Sequence, residues 1–537
     1  MNGGAFNLTD EPWILLADPN GNDTEVSLTD ALVRAHEYKS FSGELPTQDA
    51  AVLRLLLAVL YAVFTRVDEK GESRYTNDYA PDIWRRLWNL KRFPEKVIRE
   101  YLTHYRDRFW LVHPEQPFWQ VSFDKKNPPV NAKGVKCGPT ELPIVKMIGD
   151  IASYENLFCG RSDNWSISYP EAARWLVHLN SFDVSPVGAS GDKIKRIKGY
   201  EKPWPSDIGL MWVGGKNLFE TLMLNLVLEH NQENWPESMA WWEADPPCRT
   251  VEDLERTDVP APSGIVELMS MQYRYVLLQT DNDSVTGYEL WSGVKFENAN
   301  LFIEKMTPWK TAKNGDRYPL RYEPSKQLWR DFAAFMPNDG DAQPGVMKWI
   351  YKLQNQENNN DKKINFPFFQ IHSVGVTYKQ NTAVADIFSD SISINAGMLS
   401  ELGKNWVGRI SGVLSKSEKM AYALGELAEW IEMAAGGVKA GKKAKIIAKE
   451  NAYFYFDIPF RTWLAGIDPI KDDINKKCDA WTNTAREIIL KLGRELIAQA
   501  GPQAFVGREI NKTLFTAAGS YLEFKNVISK IVHGNIK

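Results

Sequence analysis

The chain has 537 residues, 44% of them apolar and 25% charged, with a formal net charge of −4. That composition excludes a disordered, collagenous or coiled-coil chain. The length passes the roughly 250–300 residues at which one core stops growing, so two or more domains are expected. The acid-leaning balance excludes a stand-alone protein that grips DNA through bulk positive charge, since such binders neutralise several phosphates and carry an excess of basic over acidic residues.

The opening segment, Phe6 to Leu16, reads as a turn followed by a short strand. Thr29 and Asp30 precede a helical run. From Thr47 to Phe64 the residues are apolar nearly all round, which predicts a buried helix. Further helices are predicted over 82–90 and 94–109, and 114–163 is rich in loop-forming Pro, Gly and Asn. A helix follows from Pro170 to Asn180, with Pro in its first turn. Ser185 to Pro205 is a basic loop punctuated by Gly and Pro, and Asn217 to Glu229 is an apolar helix. Met271 to Thr280 and Val285 to Trp291 flank a turn-like Asp-Asn-Asp-Ser and predict a hairpin. Ser325 to Phe335 reads as helical, 355–363 as a solvated loop, and Phe366 to Thr377 as a strand.

After Asn395 the texture changes to amphipathic helices: 398–410, 417–435, 452–465, 475–500, and 508 to the end. Short breaks between them are the mark of an antiparallel bundle. The expected fold is therefore α+β, with a mixed α/β domain over 1–394 and a helical bundle domain over 395–537.

The motifs of common enzymes are missing or broken. Gly436-Gly437-Val438-Lys439-Ala440-Gly441-Lys442-Lys443 approaches a phosphate-binding loop, but Lys443 stands where Ser or Thr would hold Mg²⁺, and a helix precedes it instead of a strand. The seven His form no HExxH pair, and there is no GxSxG elbow. Cys137, Cys159, Cys248 and Cys478 are far apart and form neither a CxxC nor a CxxH pair, so a disulfide framework or zinc site is not expected. No unbroken apolar run reaches the ~18–20 residues of a membrane span, and no signal-peptide pattern opens the chain, so a cytoplasmic protein without a membrane partner is expected. Twenty Trp suit cores, and they also suit partner surfaces and base-stacking platforms.

Several segments, in order over most of the chain, resemble the large-subunit family of type I-E CRISPR Cascade, sometimes called CasA. They are Phe6 to Leu16 (FNLTDEPWILL), Phe109 to Val121 (FWLVHPEQPFWQV), and Pro170 to Leu176 with His178-Leu179 and Phe182-Asp183. Gly214 to Val227 (GGKNLFETLMLNLV), Met306 to Trp309, Pro324 to Arg330, and Pro459-Phe460-Arg461 continue the series. The resemblance implies a mixed domain followed by a four-helix bundle. It also implies a non-catalytic subunit without cofactor or metal that inspects duplex DNA for a protospacer-adjacent motif (PAM). Its implied partners are the other Cascade subunits, guide CRISPR RNA, target double-stranded DNA, and a separate helicase–nuclease.

The same resemblance implies the site residues. A glycine-bearing loop meeting the PAM from the minor groove falls at Gly188, Ala189, Ser190 and Gly191, where absent side chains permit close backbone approach. Lys193, Lys195, Arg196 and Lys198 follow as phosphate-tracking candidates. A wedge that splits the first base pairs falls at Gln380, Asn381 and Thr382, although the family's Gln aligns with Asn381 or Thr382 instead of Gln380. Lys295 is the candidate for a PAM-contacting lysine. A loop docking the guide RNA falls at Asn156, Leu157, Phe158, Cys159, Gly160 and Arg161. Independently of the resemblance, Lys439, Lys442, Lys443, Lys445 and Lys449 suggest a basic path for DNA, and a solvated helix face accounts for them equally well. Two other functions stay open from residues alone: a nuclease with a dispersed metal site, and an aromatic-rich carbohydrate-binding protein.

Overall fold

The computed structural model describes residues 4–74, 79–121, 135–137, 166–182, 202–229, 238–245, 261–291, 296, 299–323, 326–336, 342–355, 368–379, 383–510 and 512–534. They form a mixed α+β protein in two compact units. The first comprises 1–324, 341–353 and 371–390, and the second 325–340, 354–370 and 391–537.

The first unit is built round the helix Pro46–Phe64, whose entry is set by Pro in its first turn. Nearly every residue from Thr47 to Phe64 is buried. Helices Tyr169–Phe182 and Ile265–Ser270 pack against it. By length and mean hydropathy this helix could cross a bilayer, but 94% of its apolar window is buried inside the protein. Asp49 and Arg54 interrupt the apolar run, so counting unbroken runs passes it over.

Both interrupting charges are accommodated. Arg54 donates two bonds to the Glu304 carboxylate, at 3.2 and 3.0 Å, and both side chains are almost wholly buried. Glu304 also accepts from the Met306 backbone N–H at 2.9 Å and from the Trp204 indole at 2.8 Å. Burial opposes ionisation of Glu304, but the Arg54 guanidinium and these N–H donors outweigh it and hold the carboxyl below its usual range. Asp49 is less well served. Burial with only the Gly43 N–H at 2.8 Å, beside Glu44, pushes its carboxyl up to about 7.

Small sheets accompany these helices. Strand Ile14–Ala17 pairs antiparallel with Asp23–Val26 and Ser40–Phe41. The hairpin of Tyr275–Asp281 and Ser284–Trp291 turns at Asn282, which takes a positive φ of 52°. Strand Ser284–Trp291 also pairs with Val135–Cys137 and Ile167–Ser168. A third sheet is ordered Ala383–Asn395, Phe368–Lys379, Leu210–Gly214.

The second unit holds four long helices: Glu401–Ala434, Val438–Ala465, Ile474–Gln499 and Ala517–His533. Its boundaries differ from the sequence expectations for physical reasons. The two helices expected over 398–410 and 417–435 are one, because Ile410, Val413, Leu414 and Ser417 keep a single buried face through the Ser/Gly-rich stretch. Ser411 and Ser417 donate to the carbonyls four residues back, which satisfies their hydroxyls inside the helix. The helix expected from 452 starts at Val438, after a turn at Gly436 with φ 96°. Arg508–Ile510 and Thr513–Phe515 form an antiparallel hairpin, not helix. The last helix starts only at Ala517, capped by the Thr516 hydroxyl, which accepts from the Gly519 N–H. Residues 328–335 are a 3₁₀ turn followed by a single helical turn.

Replacing Glu304 with Gln strands a buried guanidinium. It is expected to cost about 3–5 kcal/mol in urea unfolding, whereas replacing Arg54 and Glu304 together with Met and Leu costs much less. Asp49 gives the opposite lesson. Its folded pKa lies above its unfolded value, so its contribution is fully present below about pH 4 and is lost as pH rises through about 7. Asp49→Asn is therefore expected to raise the unfolding midpoint at pH 8 and leave it nearly unchanged at pH 4; equal gains at both would contradict the assignment.

Candidate nucleic-acid interface

The ends of a helix leave backbone carbonyls without intrahelical partners. At the end of helix Tyr169–Phe182 the Phe182 carbonyl accepts a hydrogen bond from the Tyr378 hydroxyl at 2.7 Å. Tyr378 is the penultimate residue of strand Phe368–Lys379. Its ring also receives the Lys202 ammonium, 4.8 Å from the centroid. Burial pushes the Lys202 amine down, offset in part by Asp207 and reinforced by Arg321. One side chain thus meets the residue before segment 183–201 and the residue after it.

Two residues beyond Lys202 begins the 3₁₀ turn Trp204–Ser206. The Trp204 indole is fixed by its bond to Glu304, and its ring lies 5.7 Å from that of Phe296. Phe296 is next in the chain to Lys295. Of the strands flanking the wedge candidates, residues 371–379 and 383–390 belong to the first unit. Gly375 lies so close to Phe388 that an added Cβ would sit 2.3 Å from the ring, and Phe388 meets Tyr322 edge-on at 6.3 Å. His372 stacks on Trp212 at 5.2 Å with the planes 9° apart, and burial pushes its imidazole pKa down.

Gly188, Ala189, Ser190, Gly191, Lys193, Lys195, Arg196, Lys198, Lys295, Gln380, Asn381, Thr382 and the guide-RNA loop Asn156–Arg161 all lie outside the described residues. What the structure brings together is the flanks of 183–201, of 380–382 and of Lys295: Phe182 and Lys202 on Tyr378, and Phe296 with Trp204. Sequence reading singled out neither Lys202 nor Trp204, and placed Tyr378 only at the edge of the wedge stretch. No motif marks them, since each is defined by a contact across at least 90 residues of chain.

The bundle lysines divide. Lys442 and Lys443 are exposed on helix Val438–Ala465. Lys445 is not open in the same way. Its ammonium meets Glu429 at 2.9 Å and Glu426 at 3.6 Å, and lies 4.5 Å from the centroid of the Tyr422 ring. Partial burial disfavours that charge, but Glu429 and Tyr422 more than compensate and raise its pKa. Among the described residues, no group of three or more His, Cys, Asp or Glu is placed to hold a metal ion.

The family model described as CRISPR-associated protein Cse1 matches residues 7–492, and the chain belongs to that family. Within it, the chain is the large subunit of a type I-E Cascade surveillance complex. It is 29% identical over 441 residues to the CRISPR-associated protein CasA/Cse1 of Thermus thermophilus, covering 80% of this chain and 79% of that one. Its fold matches the crystal structure of Thermobifida fusca Cse1 with a TM-score of 0.80, at 28% identity over 99% of each chain. A chain of a CRISPR RNA-guided surveillance complex has the same fold, with a TM-score of 0.70 at 16% identity, covering 98% of this chain and 100% of that one.

Lys445→Met is expected to lower bundle stability by about 1 kcal/mol in thermal or urea unfolding. The same change at Lys442 or Lys443 stays within about 0.5 kcal/mol. Equal effects at all three positions would refute the division.

Proposed function

We propose that this subunit checks foreign duplex DNA for a PAM from the minor groove and starts R-loop formation by wedging the strands apart. The observation that carries the reading is the meeting, round Tyr378, Lys202 and Trp204, of the flanks of three segments that family resemblance assigns to PAM contact and strand opening.

The chemistry needed is modest. Guide RNA reads sequence by base pairing, so the protein needs only a short checkpoint beside the target. Gly188 to Gly191 would bring backbone against the minor groove, whose degenerate code gives permissive reading. Lys295 would add a direct contact, and Lys193, Lys195, Arg196 and Lys198 would follow phosphates. Gln380, Asn381 and Thr382 would enter beneath the PAM, where unstacking one step costs a few kcal/mol. Asn156 to Arg161 would dock the guide RNA, with Phe158 stacking and Arg161 on phosphate.

In this reading the subunit does no chemistry of its own. It works in the cytoplasm with the other Cascade subunits and guide RNA, and the opened state recruits a separate helicase–nuclease. The mixed domain over 1–394 carries the reading loops, and the helical domain over 395–537 guides DNA along Lys442 and Lys443. Lys445, held by Glu426 and Glu429, serves the bundle itself.

Replacing Asn381 and Thr382 with Ala in the assembled complex is expected to slow strand opening at least tenfold. Initial duplex binding should change less than threefold, by fluorescence of a base analogue beside the PAM and by equilibrium binding. Equal losses in both would remove the wedge. Charge reversal at Lys442 and Lys443 is expected to flatten the dependence of log affinity on log salt by about one contact each; an unchanged slope would leave them as plain surface.

A further inference from the structure

We infer that the groove beside strand Asp23–Val26 is a docking site for an extended, Lys- or Arg-bearing segment of a partner protein, which adds to the sheet as a further strand. The inference concerns the first unit near its N-terminus and does not depend on the DNA-reading function proposed above.

Strand Asp23–Val26 pairs with Ile14–Ala17 and, among the described residues, with no other strand. Which of its backbone groups face away follows from the register. In an antiparallel pair, alternate residues turn both N–H and C=O toward the partner, and the residues between turn them away. The Leu15 and Ala17 carbonyls accept from the Ser42 and Lys39 N–H groups, on the side of strand Ser40–Phe41. Leu15 and Ala17 stand opposite Glu25 and Asp23. Glu25 and Asp23 therefore present N–H and C=O outward, and no backbone bond from another described residue meets them. Such an edge is a template for strand addition.

The groove gives an added strand room and selects its charge. It has a volume of about 470 Å³ and lies between this edge and the helix Leu28–Val33 with the turn Ala35–Glu37. Its lining carries the carboxylates of Asp10, Asp18, Glu25, Asp30 and Glu37 and one cation, Arg34. Arg34 is already bound to Glu37 at 2.7 Å. Arg106 meets Asp10 at 2.6 Å, and Arg174 meets Glu25 at 2.7 Å but also Glu44 at 2.9 Å. Six carboxylates thus stand against three arginines. That surplus repels nucleic-acid phosphates, and a second copy of this chain would bring the same carboxylates to the same edge. A basic strand answers both the surplus charge and the open backbone groups. The four residues of the edge span about 13 Å, enough to pair about four residues of a partner.

The test is fluorescence anisotropy of the full chain with a labelled peptide, Lys-Val-Lys-Val-Lys-Val-Lys. One control peptide carries Glu for each Lys. Another is N-methylated along its central residues, which keeps the charge and removes the ladder bonds. The basic peptide is expected to bind about tenfold more tightly than either, the factor that ladder bonds of about 1 kcal/mol each give over two residues. In the chain, Asp23→Pro removes an outward N–H at the first residue of an edge strand, where proline is tolerated, and should weaken binding about fivefold or more. Asp23→Asn keeps that N–H and should change binding less than about threefold. Asp30→Asn together with Glu37→Gln should weaken it about threefold at low salt. A basic peptide that binds no better than its acidic counterpart overturns the docking site. Equal binding of the N-methylated peptide, or native affinity in Asp23→Pro at an unchanged thermal midpoint, overturns strand addition. Should Asp23→Pro lower the thermal midpoint, the N-methylated peptide and the Asp30→Asn, Glu37→Gln chain decide by the same criteria.

Discussion

A buried charge left without a partner costs a fold about 3–5 kcal/mol. Arg54 sits in the middle of an otherwise apolar helix, and Glu304, from a segment 250 residues later, meets it with two hydrogen bonds. Taking both charges from water costs several kcal/mol per ion, and their attraction offsets this only when the remaining lone pairs are also satisfied. Here they are, by the Met306 backbone and the Trp204 indole. The second of these links core to surface. The same carboxylate that neutralises the central helix fixes Trp204, and Trp204 opens the turn just after Lys202. The candidate interface is therefore anchored on the most deeply buried ion pair among the described residues of the first unit.

The second unit applies the same logic with aromatic packing. Trp329, fully buried, stacks on Phe460 at 4.5 Å and donates to Asp457 at 2.8 Å. Asp457 in turn pairs with Arg461 one turn along its helix. Arg330 lies over the Tyr453 ring at 3.6 Å. Trp329 and Arg330 lie in the stretch Pro324 to Arg330, and Phe460 and Arg461 in Pro459 to Arg461, two of the segments that carry the family resemblance. Their meeting inside one unit gives that resemblance a physical reason, because an aromatic pair with a shared carboxylate tolerates few substitutions.

Much of this was legible in the sequence. The helix from Thr47 to Phe64, the hairpin round Asn282, and the helical character of the C-terminal part all follow from local periodicity. What was hidden depends on contacts between distant residues. Ser and Gly between 408 and 417 lower local helix propensity, yet the helix runs through, since a continuous buried face outweighs a few tenths of a kcal/mol per residue. The hairpin at 508–515 reads as helix until Gly507 and Lys512, both at positive φ, are seen to turn the chain. Residues 325–340 and 354–370 belong to the second unit although they precede its helices by many residues, and no single boundary along the chain expresses that. Lys445 looks like its neighbours until Glu426 and Glu429 are found beside it. The family resemblance assigned loops to DNA reading, whereas the bond from the Tyr378 hydroxyl to the Phe182 carbonyl spans 196 residues of chain and no local pattern shows it.

The acid-leaning charge fits this division of labour. Affinity built from phosphate contacts falls steeply with salt, because each contact releases counterions. Discrimination built from backbone approach and a neutral wedge involves no such release. On the proposed function, a subunit of net charge −4 that left most of the electrostatic grip to its neighbours would keep its preference for a flanking motif over a range of ionic strength in which overall affinity changes greatly. Under the same reading, repulsion between an acid-leaning subunit and DNA would also have a use: a weakly held checkpoint would leave non-matching sites quickly, since residence time, more than encounter rate, separates related complexes. Speed of rejection would then depend on few contacts acting together.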